Sequence, residues 1–183
     1  MKIMIDAGHG YSTPGKRTPD GMKEFEFNRS VAILIRKKLE ERGASITFSH
    51  SDTEDVLLDR RVWKANNWKA DLFLSIHANA YGNDWNNANG IETFIHSSRP
   101  KQAETVATAI QKRLVALTGR KNRGVKTANF YILKKTLMPA VLVEAGFMTH
   151  AEEARLLRTD TYRELCARGI VEAIEKIYKL SIR

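Results

Sequence analysis

Apolar residues arrive in this chain in two rhythms: short unbroken runs, and longer stretches in which they recur every three or four positions. Met1 to Ile5, broken only by Lys2, Leu72-Phe73-Leu74-Ser75-Ile76 and Ala140-Val141-Leu142-Val143 have the length and content of buried strands. Ser45 to Ser49 and Gly90 to Ile95 alternate as half-buried strands do, and Tyr131-Ile132-Leu133 predicts a short further one. Helical spacing runs from Lys23 or Glu24 to Arg42, where Gly43 is the stop, with an apolar stripe of Phe27, Val31, Leu34, Ile35 and Leu39. Further helices are predicted over Glu54 to Trp68, Lys101 to Thr118, Ala151 to Leu157 and Thr161 to Tyr178. Strands alternating with helices imply an α/β fold: a three-layer α/β/α domain on a mainly parallel sheet of roughly five or six strands.

Three of the apolar runs finish in a side chain with chemistry to offer. The first leads through Asp6-Ala7-Gly8 to His9, the second meets His77, and the third meets Glu144. Gly8 and Gly10 are expected to permit a backbone turn that presents His9. Ligands collect beyond the carboxyl ends of strands in open α/β sheets, so parallel order would bring these three ends to one site. Glu24 follows His9 across a Gly-, Pro- and Ser-containing loop and falls beside the apolar stripe, whereas Glu26 points to the opposite side. A first-turn carboxylate is also what the helix dipole favours without any further role.

Two histidines and a glutamate are a familiar ligand set for one catalytic zinc ion, with a fourth position left open. His9, Glu24 and His77 would be that set, and Glu144 would stand beside it as a general base. Zinc lowers the pKa of a bound water to about 7 and polarises a carbonyl, while the base passes the water's proton to a leaving amine. Amide hydrolysis is the implied reaction. A structural ion pair of Glu144 with Arg123 or Lys126 is the alternative. His50 and His96 imitate the strand-end pattern but read as loop residues, and His150 reads as a helix start.

Composition adds limits. With 183 residues, one domain spanning 1–183 is expected, and no stretch approaches the ~18 to 20 apolar residues of a membrane span. The N-terminus enters a strand directly, so synthesis in the cytoplasm without a signal peptide is expected. The single Cys166 excludes an internal disulfide and reads as a packed thiol. A net charge of +9 points to a polyanionic setting such as nucleic acid, anionic lipid or wall polymer, or simply to a solubilising surface. Arg60-Arg61 reads as a solvated face, and Gly119 to Lys126 as a basic loop. Glu92 lies either near the site or in solvent. Trp85, in an Asn- and Gly-rich loop, either stacks on a sugar ring or folds back onto the domain.

Several separated motifs also carry a family resemblance. Ile5-Asp6-Ala7-Gly8-His9-Gly10, Glu24 with Asn28, Ser75-Ile76-His77-Ala78-Asn79, Asn122-Arg123-Gly124-Val125-Lys126, Phe130-Tyr131-Ile132-Leu133 and Met138-Pro139 through Glu144-Ala145-Gly146-Phe147 stand in the order found in zinc-dependent N-acetylmuramoyl-L-alanine amidases. The chain resembles the branch that includes sporulation and cell-separation amidases and phage endolysins. The first motif departs from it, with Ala7 in place of the commoner Pro and Tyr11 in place of a further Gly.

The resemblance implies that His9, Glu24 and His77 bind zinc and that Glu144 is the catalytic carboxylate. It further implies cleavage of the amide between the muramic acid lactyl group and L-alanine of peptidoglycan. Asn79, Trp85, Arg123 and Lys126 are the expected substrate contacts. No wall-targeting domain is expected within the chain, which would then be either the catalytic part of a longer protein or loosely attached to anionic wall polymers by its own charge. A monomer without nucleic-acid partners is expected, acting on the wall after holin-type or other signal-independent release. A zinc peptidase cutting within the stem peptide and a non-catalytic wall- or nucleic-acid-binding module are the competing readings.

Overall fold

The computed structural model describes residues 1–13 and 15–181. The chain runs β1 (Lys2–Ala7), α1 (Glu24–Glu40), β2 (Ser45–Phe48), α2 (Leu58–Trp68), β3 (Leu72–Asn79) and β4 (Ile91–His96), followed by α3 (Lys101–Thr118), β5 (Asn122–Ala128), α4 (Tyr131–Lys135), β6 (Ala140–Phe147), α5 (Ala151–Leu157) and α6 (Asp160–Tyr178). One six-stranded sheet has the order β2-β1-β3-β6-β4-β5. Every neighbouring pair is parallel except β4 with β6. The mainly parallel three-layer arrangement expected from the alternation of strands and helices is therefore what forms.

Strand alternation sends side chains to two different cores. Ile3, Ile5, Leu72, Leu74, Ile76, Val141 and Val143 pack with α1, α3 and α6, while Met4, Phe73, Ala140 and Leu142 pack with α2 and α4. Both faces of the central strands are covered, which is why they read as unbroken apolar runs. On α1 the stripe of Phe27, Val31, Ile35 and Leu39 is fully buried, each side chain contributing about 1.5–3 kcal/mol of transfer free energy. Among the described residues, no helix is long and apolar enough to cross a membrane.

Two elements differ from the sequence expectation. Tyr131-Ile132-Leu133 is the start of α4 and not a strand: Ile132 and Leu133 are both buried against α2, and Lys134 donates to the Phe130 carbonyl at 3.0 Å. A three-residue apolar run carries no readable period, so packing decided it. The basic loop is largely β5, an edge strand parallel to β4. Its cations fit an outer strand, where charge discourages further pairing. Helix α2 begins at Leu58, four residues later than predicted. His77 and Glu144 lie inside β3 and β6, near their carboxyl ends and not beyond them.

Candidate active site

Parallel pairing of β1, β3 and β6 puts their carboxyl ends along one edge of the sheet. His77 and Glu144 are register partners across β3 and β6, and the Gly8 N–H donates to the Ile76 carbonyl at 3.0 Å, continuing the ladder into the His9 turn. Sheet geometry thus brings the three predicted side chains within reach of one another.

His9 itself makes the turn, with φ of 67°, a left-handed conformation that costs a residue with a Cβ on the order of 1 kcal/mol or more. Neither Gly8 nor Gly10 has a positive φ, which corrects the expectation that they supply the turn. Gly8 is needed for space instead: a Cβ there would stand 2.1 Å from Cε1 and 2.3 Å from Nε2 of His77.

Glu24 enters from the first turn of α1, whose backbone starts after Lys23 and whose dipole suits acidic residues at Glu24 and Glu26. The carboxylate is 3% exposed, so it is far from the solvated role a helix dipole alone would explain. Its Oε1 lies 2.8 Å from His77 Nδ1 and its Oε2 3.2 Å from His9 Nε2. Asn28, one helical turn on, donates to both Glu24 Oε1 at 3.3 Å and the Gly8 carbonyl at 3.1 Å. The Lys16 N–H adds a bond to Oε2 at 3.0 Å. One ligand atom from each of His9, Glu24 and His77 falls within 4.8 Å of the others. Two imidazole nitrogens and a carboxylate oxygen so close together match the donor set of a three-ligand zinc site.

Glu144 stands beside this triad in the same cavity of about 650 Å³. Its Oε2 is buried without a hydrogen-bond partner. Burial, then the negative charges of Glu24 and Glu92, hold its pKa well above the usual carboxylate range. Glu24 moves the other way: burial opposes ionisation, but hydrogen bonds and charge from His77 and His9 outweigh it and hold its pKa low. For His9, burial disfavours the cation, yet the hydrogen bond and charge of Glu24 prevail and its pKa is raised. Two carboxylates a short distance apart are thereby driven in opposite directions, one towards a fixed anion and one towards a proton carrier.

Glu92 explains why Glu144 lacks a cationic partner. It faces Glu144 across the antiparallel β4–β6 pair, is 3% exposed, and takes both candidate cations for itself. Arg123 Nε donates to Glu92 Oε2 at 2.6 Å, Lys126 Nζ donates to the same oxygen, and Asn79 Nδ2 donates to Oε1 at 2.7 Å. The ion pair of Glu144 with Arg123 or Lys126 does not form. Among the four expected substrate contacts, Asn79 lines the cavity, while Arg123 and Lys126 are engaged at its flank. Trp85 lies elsewhere, in a hollow with Asp20, Arg155 and Arg158.

Arg61, expected on a solvated face, is 3% exposed and pairs with the buried Asp6 at 2.8 Å. Its sequence signal was present but easily misread, because an arginine adjoining Arg60 at the start of a helix resembles ordinary surface charge. His50 is likewise a buried structural residue: its Nδ1 accepts from the Ala7 N–H at 3.0 Å, and burial pushes its pKa down to about 4, so it remains neutral. His150 caps α5 by accepting from the Glu153 N–H. The cavity's open side is lined by apolar groups from the starts of two helices, Leu57 and Leu58 before and in α2, and Phe130 and Tyr131 before and in α4.

Comparison with known proteins places the whole chain among relatives of one family. The family profile described as N-acetylmuramoyl-L-alanine amidase matches residues 3–176. The N-acetylmuramoyl-L-alanine amidase LytC of Bacillus subtilis (strain 168) is 39% identical over 97% of this chain, which spans 35% of that protein. The endolysin of Bacillus phage SPP1 is 35% identical over 97% of the chain and is matched over 66% of its own length. The chain therefore spans between about a third and two thirds of these relatives. Among solved structures, the catalytic domain of CwlV, an N-acetylmuramoyl-L-alanine amidase from Bacillus (Paenibacillus) polymyxa var. colistinus, superposes with a TM-score of 0.90 at 31% identity, covering 98% of this chain and 99% of that one.

Proposed function

Because the chain belongs to the N-acetylmuramoyl-L-alanine amidase family, we propose that it is the catalytic domain of a zinc-dependent wall-lytic amidase. The bond cleaved joins the lactyl group of N-acetylmuramic acid to L-alanine of the peptidoglycan stem peptide. The observation that carries this reading is the convergence of His9, Glu24 and His77 within 4.8 Å, in one cavity with the half-buried Glu144, whose Oε2 is buried and unpartnered.

His9, Glu24 and His77 would hold one zinc ion. When bound, zinc supplies Lewis acidity towards the scissile carbonyl and makes water a competent nucleophile near neutral pH. Asn28 fixes the Glu24 carboxylate so that each of its oxygens faces one histidine. Glu144 takes the proton from the attacking water at its carboxylate and returns it to the leaving L-alanine nitrogen. Its Oε2, left without a hydrogen-bond partner, is free to take part in that exchange. The exposed apolar groups lining the cavity, Leu57, Leu58, Phe130 and Tyr131, offer surface for substrate to pack against.

The role in the cell is that of a phage endolysin or a bacterial autolysin acting at the wall as a monomer. The excess of positive charge serves attraction to anionic wall polymers.

The test is clearance of purified peptidoglycan by zinc-loaded protein, by chelator-stripped protein and by stripped protein given one equivalent of zinc. Newly exposed amino termini are identified in each. Clearance that disappears with the metal and returns with zinc, releasing N-terminal L-alanine, is expected. A different new terminus would assign the enzyme to the stem-peptide peptidases. Salt-sensitive binding to wall or DNA with no hydrolysis by the loaded protein would leave a binding module.

A further inference from the structure

We propose that Arg61 is a positioning residue that fixes the left-handed turn carrying His9 and ties the cavity rim to it. The proposal rests on the metal-centre reading above.

Arg61 reaches across from the first turn of α2 and meets four acceptors. Nη1 donates to Asp6 Oδ1 at 2.8 Å and to the Ala7 carbonyl at 2.7 Å, Nη2 donates to the His9 carbonyl, and Nε donates to the Val56 carbonyl at 2.8 Å. Charge compensation for Asp6 would need the first of these alone. The other three fall on backbone carbonyls, two of which flank Gly8 in the ligand turn.

At φ of 67°, His9 has left the β ladder, so its carbonyl needs a donor from outside the sheet. Arg61 provides it. The anchor beneath is rigid: Asp6 Oδ2 accepts from Ser75 Oγ at 2.6 Å, and Oδ1 accepts from Ser49 Oγ as well as from Arg61. Asp6 stays ionised despite burial, because the Arg61 charge and these hydrogen bonds hold its pKa low. The planar fork of a guanidinium spans acceptors in several directions, which a lysine ammonium at the end of a flexible stem does not.

The bond to Val56 adds the second half of the inference. Val56 and the two residues after it line the same cavity as the triad, so one side chain sets the height of the rim relative to His9. Displacement of Arg61 would move a ligand and a wall of the cavity together.

The experiment compares the native protein with Arg61→Lys and Arg61→Met. Folding is followed by far-ultraviolet circular dichroism and thermal melting, zinc affinity by competition with a chromophoric chelator, and site symmetry by the visible absorption of the cobalt-substituted proteins. Expected is a native-like fold in Arg61→Lys with zinc affinity lowered by about tenfold or more, the scale seen when groups that orient metal ligands are removed. An altered cobalt spectrum should accompany it, and Arg61→Met should be at least as weak. Zinc affinity within about twofold of native and an unchanged cobalt spectrum in a folded Arg61→Lys would overturn the proposal. Loss of the fold in Arg61→Lys, where the charge opposite Asp6 is kept, would overturn it too by making Arg61 a determinant of the sheet. Native protein that takes up no zinc would instead refute the metal centre itself.

Discussion

Gly8→Ala separates the geometry of the site from the stability of the fold. Gly8 does not have a positive φ, so alanine costs little in backbone conformation. The added methyl would stand 2.1, 2.3 and 2.6 Å from Cε1, Nε2 and Nδ1 of His77. Ordinary contact begins near 3.4 Å, so the imidazole must withdraw by about 1.3 Å. Ligand distances in a metal site tolerate only ~0.2 Å. The displacement is several times what coordination allows, yet it falls on a side chain that can rotate away. Overpacking of this kind typically costs about 1–3 kcal/mol in stability. The variant should therefore fold and melt cooperatively while losing about 100-fold or more in zinc affinity and most of its peptidoglycan clearance. Gly10→Ala is the paired control: its methyl meets the Asp55 carboxylate at 2.2 Å, the far end of a half-buried side chain that can swing aside at the loss of its bond from the Ser12 N–H. Native-like zinc affinity and clearance in Gly8→Ala would refute the argument that the glycine exists to admit His77.

Glu144→Gln should reduce clearance by about 100-fold or more, the scale of general acid–base catalysis, while making the metal-free protein more resistant to denaturant at mildly alkaline pH. A carboxyl whose folded pKa is raised contributes fully to stability below its unfolded pKa, and that contribution is lost as pH rises through the folded value. Glutamine escapes this loss, so denaturant melts in the presence of chelator should diverge with rising pH; parallel curves would sink the assignment of a raised pKa. Glu92→Gln removes one of the charges that raise the Glu144 pKa and leaves Arg123 and Lys126 without their anion. The acidic limb of the pH–activity profile should move to lower pH, and a shift upward or none would contradict the electrostatic account.

The sequence determined the period of each long element and the chemistry available. The stripe of α1, the limits of α3 and α5, the buried strands β1, β3 and β6, and the candidates His9, Glu24, His77 and Glu144 all follow from spacing and residue type, because local propensity and burial are encoded in nearest neighbours. Short or two-sided segments did not follow. Tyr131-Ile132-Leu133 carries no period and became helical through packing on α2, and the charged stretch after Lys121 became a strand because the β4 edge was there to pair with.

Pairings between distant residues were decided by tertiary structure alone. Arg123 and Lys126 could have neutralised Glu144, and only the antiparallel placement of β4 against β6 gives them to Glu92 and leaves Glu144 protonatable. Arg61 looks like a surface charge until α2 lies across the β1 end and surrounds it with acceptors. Sequence supplies donors and acceptors, but burial raises the cost of an unmatched one, and which are matched depends on strand order and helix placement.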